Sequence, residues 1–202
     1  MTDPPPTLDP RRTALLVMDY QPGILGRLED ADALLDRAVD AIAQVRDAGG
    51  HIGYVRVAFA DEDYVGIPAS SRMGAMVASA GRALHADEPA TAVHERIAPQ
   101  GGDIVLRKTR VGAFSTTDLE QQLRDREVDT LILAGISTSG VVLSTVRDAH
   151  DRDYRLFVLA DVSADPEPGV HEFLTGRIFP RQAHVIELAE LPGLLAGTAA
   201  GS

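Results

Sequence analysis

Cysteine is absent from all 202 residues. The chain therefore has no disulfide, no thiolate metal ligand and no Cys–His or Cys–Lys nucleophile. Tryptophan is missing too, and aromatic residues make up only 4%, which argues against a stacking platform for bases or sugars. Positive charge is scarce: 19 Lys and Arg stand against 30 Asp and Glu, a formal net charge of -11. Such a surface repels phosphate backbones and anionic bilayers, so neither nucleic acid nor a membrane is an expected partner. No apolar run approaches the roughly 20 residues that cross a bilayer. Met1 to Asp9 is proline-rich and polar, with no hydrophobic leader pattern. These absences together lead to the expectation of a cytoplasmic protein.

What is present is ordinary globular composition, 45% hydrophobic and 24% charged, at a length that suits one domain with a sizeable core. Residues 1–12 read as a flexible arm, 13–195 as a single α/β domain and 196–202 as a flexible tail. Thr13 to Met18 is an unbroken apolar run, the mark of a strand buried on both faces. Leu34, Leu35, Ala38, Val39, Ile42 and Val45 then recur at helical spacing, and Gly49-Gly50 stops that helix. Further strands are expected at His51 to Phe59, Asp103 to Arg107, Thr130 to Ala134, Tyr154 to Ala160 and Ala183 to Leu188. Helices are expected over Ser70 to Ala86, after a capping box at Thr117-Asp-Leu-Glu120, from about Val141 to Asp151, and around His171 to Phe179. Strand–helix alternation of this kind predicts a three-layer α/β/α fold on a mainly parallel sheet of about six strands.

An open parallel sheet binds ligands outside the carboxyl ends of its strands. Asp19, Lys108 and the Gly135-Ile-Ser-Thr-Ser-Gly140 turn all fall at such ends. Each also has a plain reading: Asp19 as a turn former before Pro22-Gly23, Lys108 as a solvated strand end, and the turn as a helix cap. Taken together, they place an acid beside a cation at one sheet edge. Burial would raise the carboxyl pKa and the cation would lower it, a balance suited to acid–base work. The turn's N–H groups offer a cradle for an oxygen. No GxGxxG follows the first strand, and Ser137 does not sit in a GxSxG elbow.

Leu15-Leu-Val-Met-Asp-Tyr-Gln21, Lys108-Thr-Arg-Val-Gly-Ala-Phe-Ser-Thr-Thr117 and Leu131-Ile-Leu-Ala-Gly-Ile-Ser-Thr138, in that order, resemble the isochorismatase-like hydrolases. Ser144 to Ala149 and Val158 to Asp165 extend the match, which covers roughly Thr13 to Leu188. The family includes nicotinamidases, N-carbamoylsarcosine amidohydrolases and isochorismatases, on a Rossmann-like parallel sheet. The resemblance implies catalytic roles for Asp19 and Lys108, a cis peptide at Ile136-Ser137, and a homodimer or homotetramer. Gln21, Phe59, Phe114 and the turn residues Ile136, Ser137, Thr138, Ser139 and Gly140 are the expected substrate-binding positions.

The departure lies where amidase relatives carry cysteine, because Val141 stands there. Valine forms no thioester, so covalent amidase chemistry does not carry over. Isochorismatases also lack the cysteine, usually with a smaller glycine, and use the aspartate as acid. Ser137 and Ser139 replace the aromatic and histidine residues that isochorismatases place around this turn, which counts against isochorismate itself. Ser139 and Ser144 do not occupy the nucleophile's place. The metal-binding Asp-x-His of nicotinamidases is here Asp61-Glu-Asp63, without histidine, so no metal and no cofactor are expected and the acidic cluster reads as solvated. The expected function is hydrolysis of a small, possibly carboxylated molecule by acid–base catalysis. The alternative is an inactive small-molecule-binding protein on the same scaffold.

Overall fold

A computed structural model describes residues 7–196. Six strands form one sheet in the order β3-β2-β1-β4-β5-β6, and every neighbouring pair is parallel. They are β1 Thr13–Met18, β2 His51–Val57, β3 Ile104–Lys108, β4 Thr130–Gly135, β5 Arg155–Leu159 and β6 His184–Ile186. The order runs outward in one direction from β1 and in the other from β4. The crevice between those two strands is thus the topological switch point, where such sheets bind ligands.

The pleat explains the continuous apolar runs. All six residues of β1 and all six of β4 are buried, because successive side chains enter opposite layers. Leu15 and Val17 face one core, shared with Leu34, Leu35, Ile42 and Val45 of α2, Ala31–Asp47. Ala14, Leu16 and Met18 face the other, with Leu119 and Leu123 of α5, Leu119–Arg124, and Val146 and Ala149 of α6, Leu143–His150. Each large aliphatic side chain buried this way contributes about 1.5–3 kcal/mol. A one-residue shift in β1 would exchange the two sets.

Local sequence sets the boundaries. At the end of α2, Gly49 takes φ 87°, and the Gly49 and Gly50 amides close back on Arg46 and Val45 carbonyls. That pair of bonds is a Schellman ending, and it needs glycine for the left-handed residue. Gly53, an unusual strand residue, is there because a Cβ would lie 2.7 Å from Leu16 Cδ2.

Several expectations are corrected. Residues 7–12 are not a free arm: Leu8 is buried, its N–H donates to the Leu194 carbonyl, and Pro10–Arg12 forms a 3-10 turn. Residues 1–6 and 197–202 lie outside the described residues. The capping box does not form, because Thr117 Oγ1 is occupied by the Ala113 carbonyl and the Leu119 amide while Glu120 pairs with Arg124. The helix after β4 enters through a wider turn, Thr138–Val142, before α6. The expected helix around His171 is a one-turn α7, Val170–Phe173, continued by a π turn and a 3-10 turn that ends at Pro180-Arg181. Ser70 to Ala86 holds α4, Arg72–Ala80, and a short 3-10 turn. No helix of the described residues is long and apolar enough to cross a membrane.

Candidate active site

Asp19 is the first residue beyond β1. Its backbone has a left-handed φ of 62°, a region aspartate enters more readily than most side chains. Its N–H still bonds to the Val55 carbonyl, so the chain leaves the sheet only after this residue. Lys108 ends β3, two strands away, which is a span of about 10 Å at normal strand spacing. The extended lysine stem bridges that span. Its Nζ lies 2.9 Å from Asp19 Oδ2 and donates to the Arg110 carbonyl at 3.1 Å.

Both members are deeply buried, with Asp19 4% exposed and Lys108 2%. Asp19 Oδ1 makes no hydrogen bond of good geometry among the described residues. A buried unpaired carboxylate oxygen is costly, and it is relieved when the group is protonated or meets a ligand. Burial pushes the Asp19 pKa up to about 6, opposed by the charge and hydrogen bond of Lys108. The acid can therefore hold its proton just below neutrality and still release it, the poise needed for proton transfer near pH 7.

The pair lines a cavity of about 220 Å³. The β4 turn contributes Ile136, Ser137, Gly140 and Val141 to its lining. Gly135 brings this turn close to β1, since a Cβ there would approach Met18 and Val142 at 3.0–3.2 Å. The Ile136-Ser137 peptide is cis, as the resemblance implied. Val141 is buried and lines the same cavity as Asp19 and Lys108.

Other expected positions fall elsewhere. Gln21 is buried in structural work: its amide nitrogen donates to the Val57 and Thr91 carbonyls, and its oxygen accepts from the Val57 N–H. Phe59 packs against Tyr64 and shares backbone bonds with Leu84 and Ala86. Phe114 belongs to the core beside Tyr154, under the Arg152 guanidinium. None of the three lines the cavity. Thr138 is buried and turns away to meet the half-buried His171, 2.8 Å from Oγ1 to Nδ1. Ser139 is exposed, and neither it nor Ser144 reaches the cavity.

The turn's cradle is smaller than its sequence promised. The Thr138 amide bonds to the Ala164 carbonyl, Ser139 to Asp165 Oδ2, Gly140 to Ser137 Oγ and Val142 to the Ser137 carbonyl. The Ser137 and Val141 amides are the ones outside this set. Nor is the Asp61-Glu-Asp63 cluster wholly solvated. Asp61 is exposed beside His85, but Asp63 accepts from the Ala60 amide and pairs with Arg107.

Sequence reasoning missed most of the cavity wall. Ile24, Leu28, Val57, Met73, Met76 and Val111 supply its apolar surface, and Arg27 and Arg110 its outer charge. Val57 ends β2, but the others come from short turns and from α4, where no strand-end position marks them. Arg110, two residues beyond Lys108, was the one with a usable signal.

The sequence model of the isochorismatase domain matches residues 13–190. The isochorismatase family protein YwoC of Bacillus subtilis is 33% identical over 179 residues, covering 86% of this chain and 89% of its own. The phenazine biosynthesis protein PhzD of Pseudomonas fluorescens is 36% identical over 159 residues, covering 78% of this chain and 74% of its own. Among solved structures, an isochorismatase family protein of Burkholderia thailandensis superimposes with a TM-score of 0.80 at 25% identity, over 94% of this chain and 98% of that one. N-carbamoylsarcosine amidase from Thermoplasma acidophilum gives 0.70 at 27% identity, over 88% and 96%.

Proposed function

The chain belongs to the isochorismatase family of hydrolases, and from that premise we propose that it hydrolyses a small molecule by acid–base catalysis without a covalent intermediate. The observation that carries this reading is Asp19: a buried acid with one oxygen held by Lys108 and the other making no bond of good geometry, in the lining of a cavity. In the protonated form, Oδ1 donates to the oxygen or carbon at which the scissile bond breaks. Lys108, 2.9 Å from Oδ2, then stabilises the carboxylate left behind. Water then adds at the carbon left electron-poor by the departing group, and the proton it sheds returns to Asp19, restoring the acid. Val141 offers no nucleophile, so the steps of a thioester mechanism have no place here. The Ser137 amide, at the start of the cavity-lining turn, supplies the orienting donor.

The competing reading, a ligand-binding protein without turnover, rests on the same Val141. A panel of amides, ureas, esters and vinyl ethers separates the two. The hydrolase reading expects product from at least one class. For that substrate, Asp19→Asn lowers kcat/KM by about 100-fold or more, the usual worth of a positioned acid. Because the protonated acid is required, wild-type turnover falls about tenfold per pH unit once the pH passes the Asp19 pKa of about 6. Undiminished activity in Asp19→Asn overturns the assignment. Saturable binding with no product across the whole panel gives the field to the binding protein.

A further inference from the structure

One buried contact lies behind the cavity and takes no part in the acid–base pair. Thr138, with no exposed surface, meets His171 of α7 at 2.8 Å from Oγ1 to Nδ1. This is the hydroxyl's one bond among the described residues. A hydroxyl within reach of an imidazole is also the arrangement of an activated nucleophile. It cannot serve as one here, because Thr138 is fully buried and neither residue lines the cavity. The imidazole borders instead a second hollow of about 590 Å³, beside Ser163, Ala164 and Asp165.

The residues of the β4 turn divide into two sets. Ile136, Ser137, Gly140 and Val141 line the cavity, and the Gly140 and Val142 amides bond within the turn, to Ser137. Thr138 and Ser139 tie the turn to the rest of the protein. The Thr138 N–H donates to the Ala164 carbonyl at 2.9 Å, and the Ser139 N–H to Asp165 Oδ2 at 2.7 Å. Both of these anchors come from the segment that follows β5. His171 adds a third from α7, and it acts on the Thr138 side chain rather than on the backbone. Thr138 is therefore held at two points. Only the two dihedrals of Ser137 separate its amide plane from the Ser137 N–H, the orienting donor of the site. Without the imidazole a buried hydroxyl would be left unpaired, a costly state that the turn relieves by moving.

We propose that His171 is a positioning residue for the site: through the Thr138 hydroxyl it holds the β4 turn, and with it the Ser137 N–H and Val141, in place in the cavity that Asp19 lines. The inference rests on the acid–base reading only for what the turn is used for. His171 meets no reacting atom, so it acts on the geometry of turnover and not on the proton of Asp19.

The test is amide hydrogen exchange, followed by NMR on the isotope-labelled full-length protein. His171→Ala is expected to speed exchange at Gly140 and Val142 by about five- to tenfold, the worth of one buried hydrogen bond. The Gly49 and Gly50 amides, at the end of α2, keep their rates. His171→Asn, whose amide stands where Nδ1 stood, restores slow exchange. His171→Gln, which reaches to the Nε2 position, and His171→Phe, which only fills the space, do not. Thr138→Val alone gives the same acceleration, and adding His171→Ala to it has no further effect. Unchanged exchange in either single variant, rescue by phenylalanine equal to that by asparagine, or a full His171→Ala effect in the Thr138→Val background overturns the proposal. Thr138→Val keeps the test open even where His171→Ala does not fold. Exchange needs no substrate, so its failure is separable from that of the hydrolase reading. On a substrate from the panel, His171→Ala lowers kcat/KM about tenfold through misplacement, and the pH at which turnover falls stays that of the wild type. Unchanged kcat/KM beside faster exchange, or a shift of that pH, overturns the assignment.

Discussion

Replacing Lys108 by methionine tests the central pair most directly, because it removes the charge and keeps much of the buried stem. In the native protein burial raises the Asp19 pKa and Lys108, at 2.9 Å, holds it down to about 6. Two unit charges at about 3 Å interact by roughly 5 kcal/mol at an effective dielectric of 20, or about four pKa units. Without the lysine, burial is opposed only by the weaker effect of the Val57 backbone N–H, and Asp19 stays protonated through neutral pH. The sign for stability follows from linkage. A carboxyl whose folded pKa lies above its unfolded value binds its proton more tightly when folded, so stability falls as pH rises between the two values. In the wild type that fall runs from about pH 4 to about pH 6 and amounts to about 3 kcal/mol. In Lys108→Met it continues beyond pH 6 at about 1.4 kcal/mol per pH unit. Urea denaturation at pH 6, 7 and 8 measures the slope, and carboxyl NMR reads the titration of Asp19 itself. The double variant Lys108→Met with Asp19→Asn must lose the extra slope. If Asp19 in Lys108→Met titrated at or below pH 6, Lys108 would not be the group that controls the acid, and the reasoning would fail.

The strands were legible because both faces of the central ones are buried. Thr13–Met18 reads as a strand from the residues alone and is one to its last residue, since nothing polar interrupts it. Asp19 and Lys108 were legible for the same reason, as charged residues at the ends of apolar runs. Two strand spacings of sheet then explain why they meet, which no local pattern could reveal. The cavity wall was less visible. Gln21, Phe59 and Phe114 follow or flank the right elements, but their side chains satisfy backbone groups or fill the core. Met73 and Met76 reach the cavity from α4, a short helix that follows no strand end. Helix starts were misread where a side chain had a better local partner, as with Thr117 and the Ala113 carbonyl. Strand order is set by long-range pairing and carries no sequence period, so the β1/β4 switch point emerged only from the fold.

Two further substitutions distinguish structural from functional roles. Gln21→Ala removes the side-chain partner of the Val57 amide and carbonyl and one of the two side-chain donors to the Thr91 carbonyl, the other being Arg56, a loss of about 3 kcal/mol. Thermal unfolding should show a Tm lower by about 6–12 °C, with little change in activity of the molecules still folded. Val141→Cys places a thiol in the cavity, and because the chain has no other cysteine any alkylation reports on that position alone. Lys108 lies in the same lining, and a nearby cation favours the thiolate, so iodoacetamide should modify the folded variant faster than an unfolded control, as read by mass spectrometry. A thiol that reacts only after unfolding would mean that position 141 is closed off from the cavity. In that case the valine is core packing rather than the floor of a site, and the absence of cysteine would no longer explain the choice of acid–base over covalent chemistry.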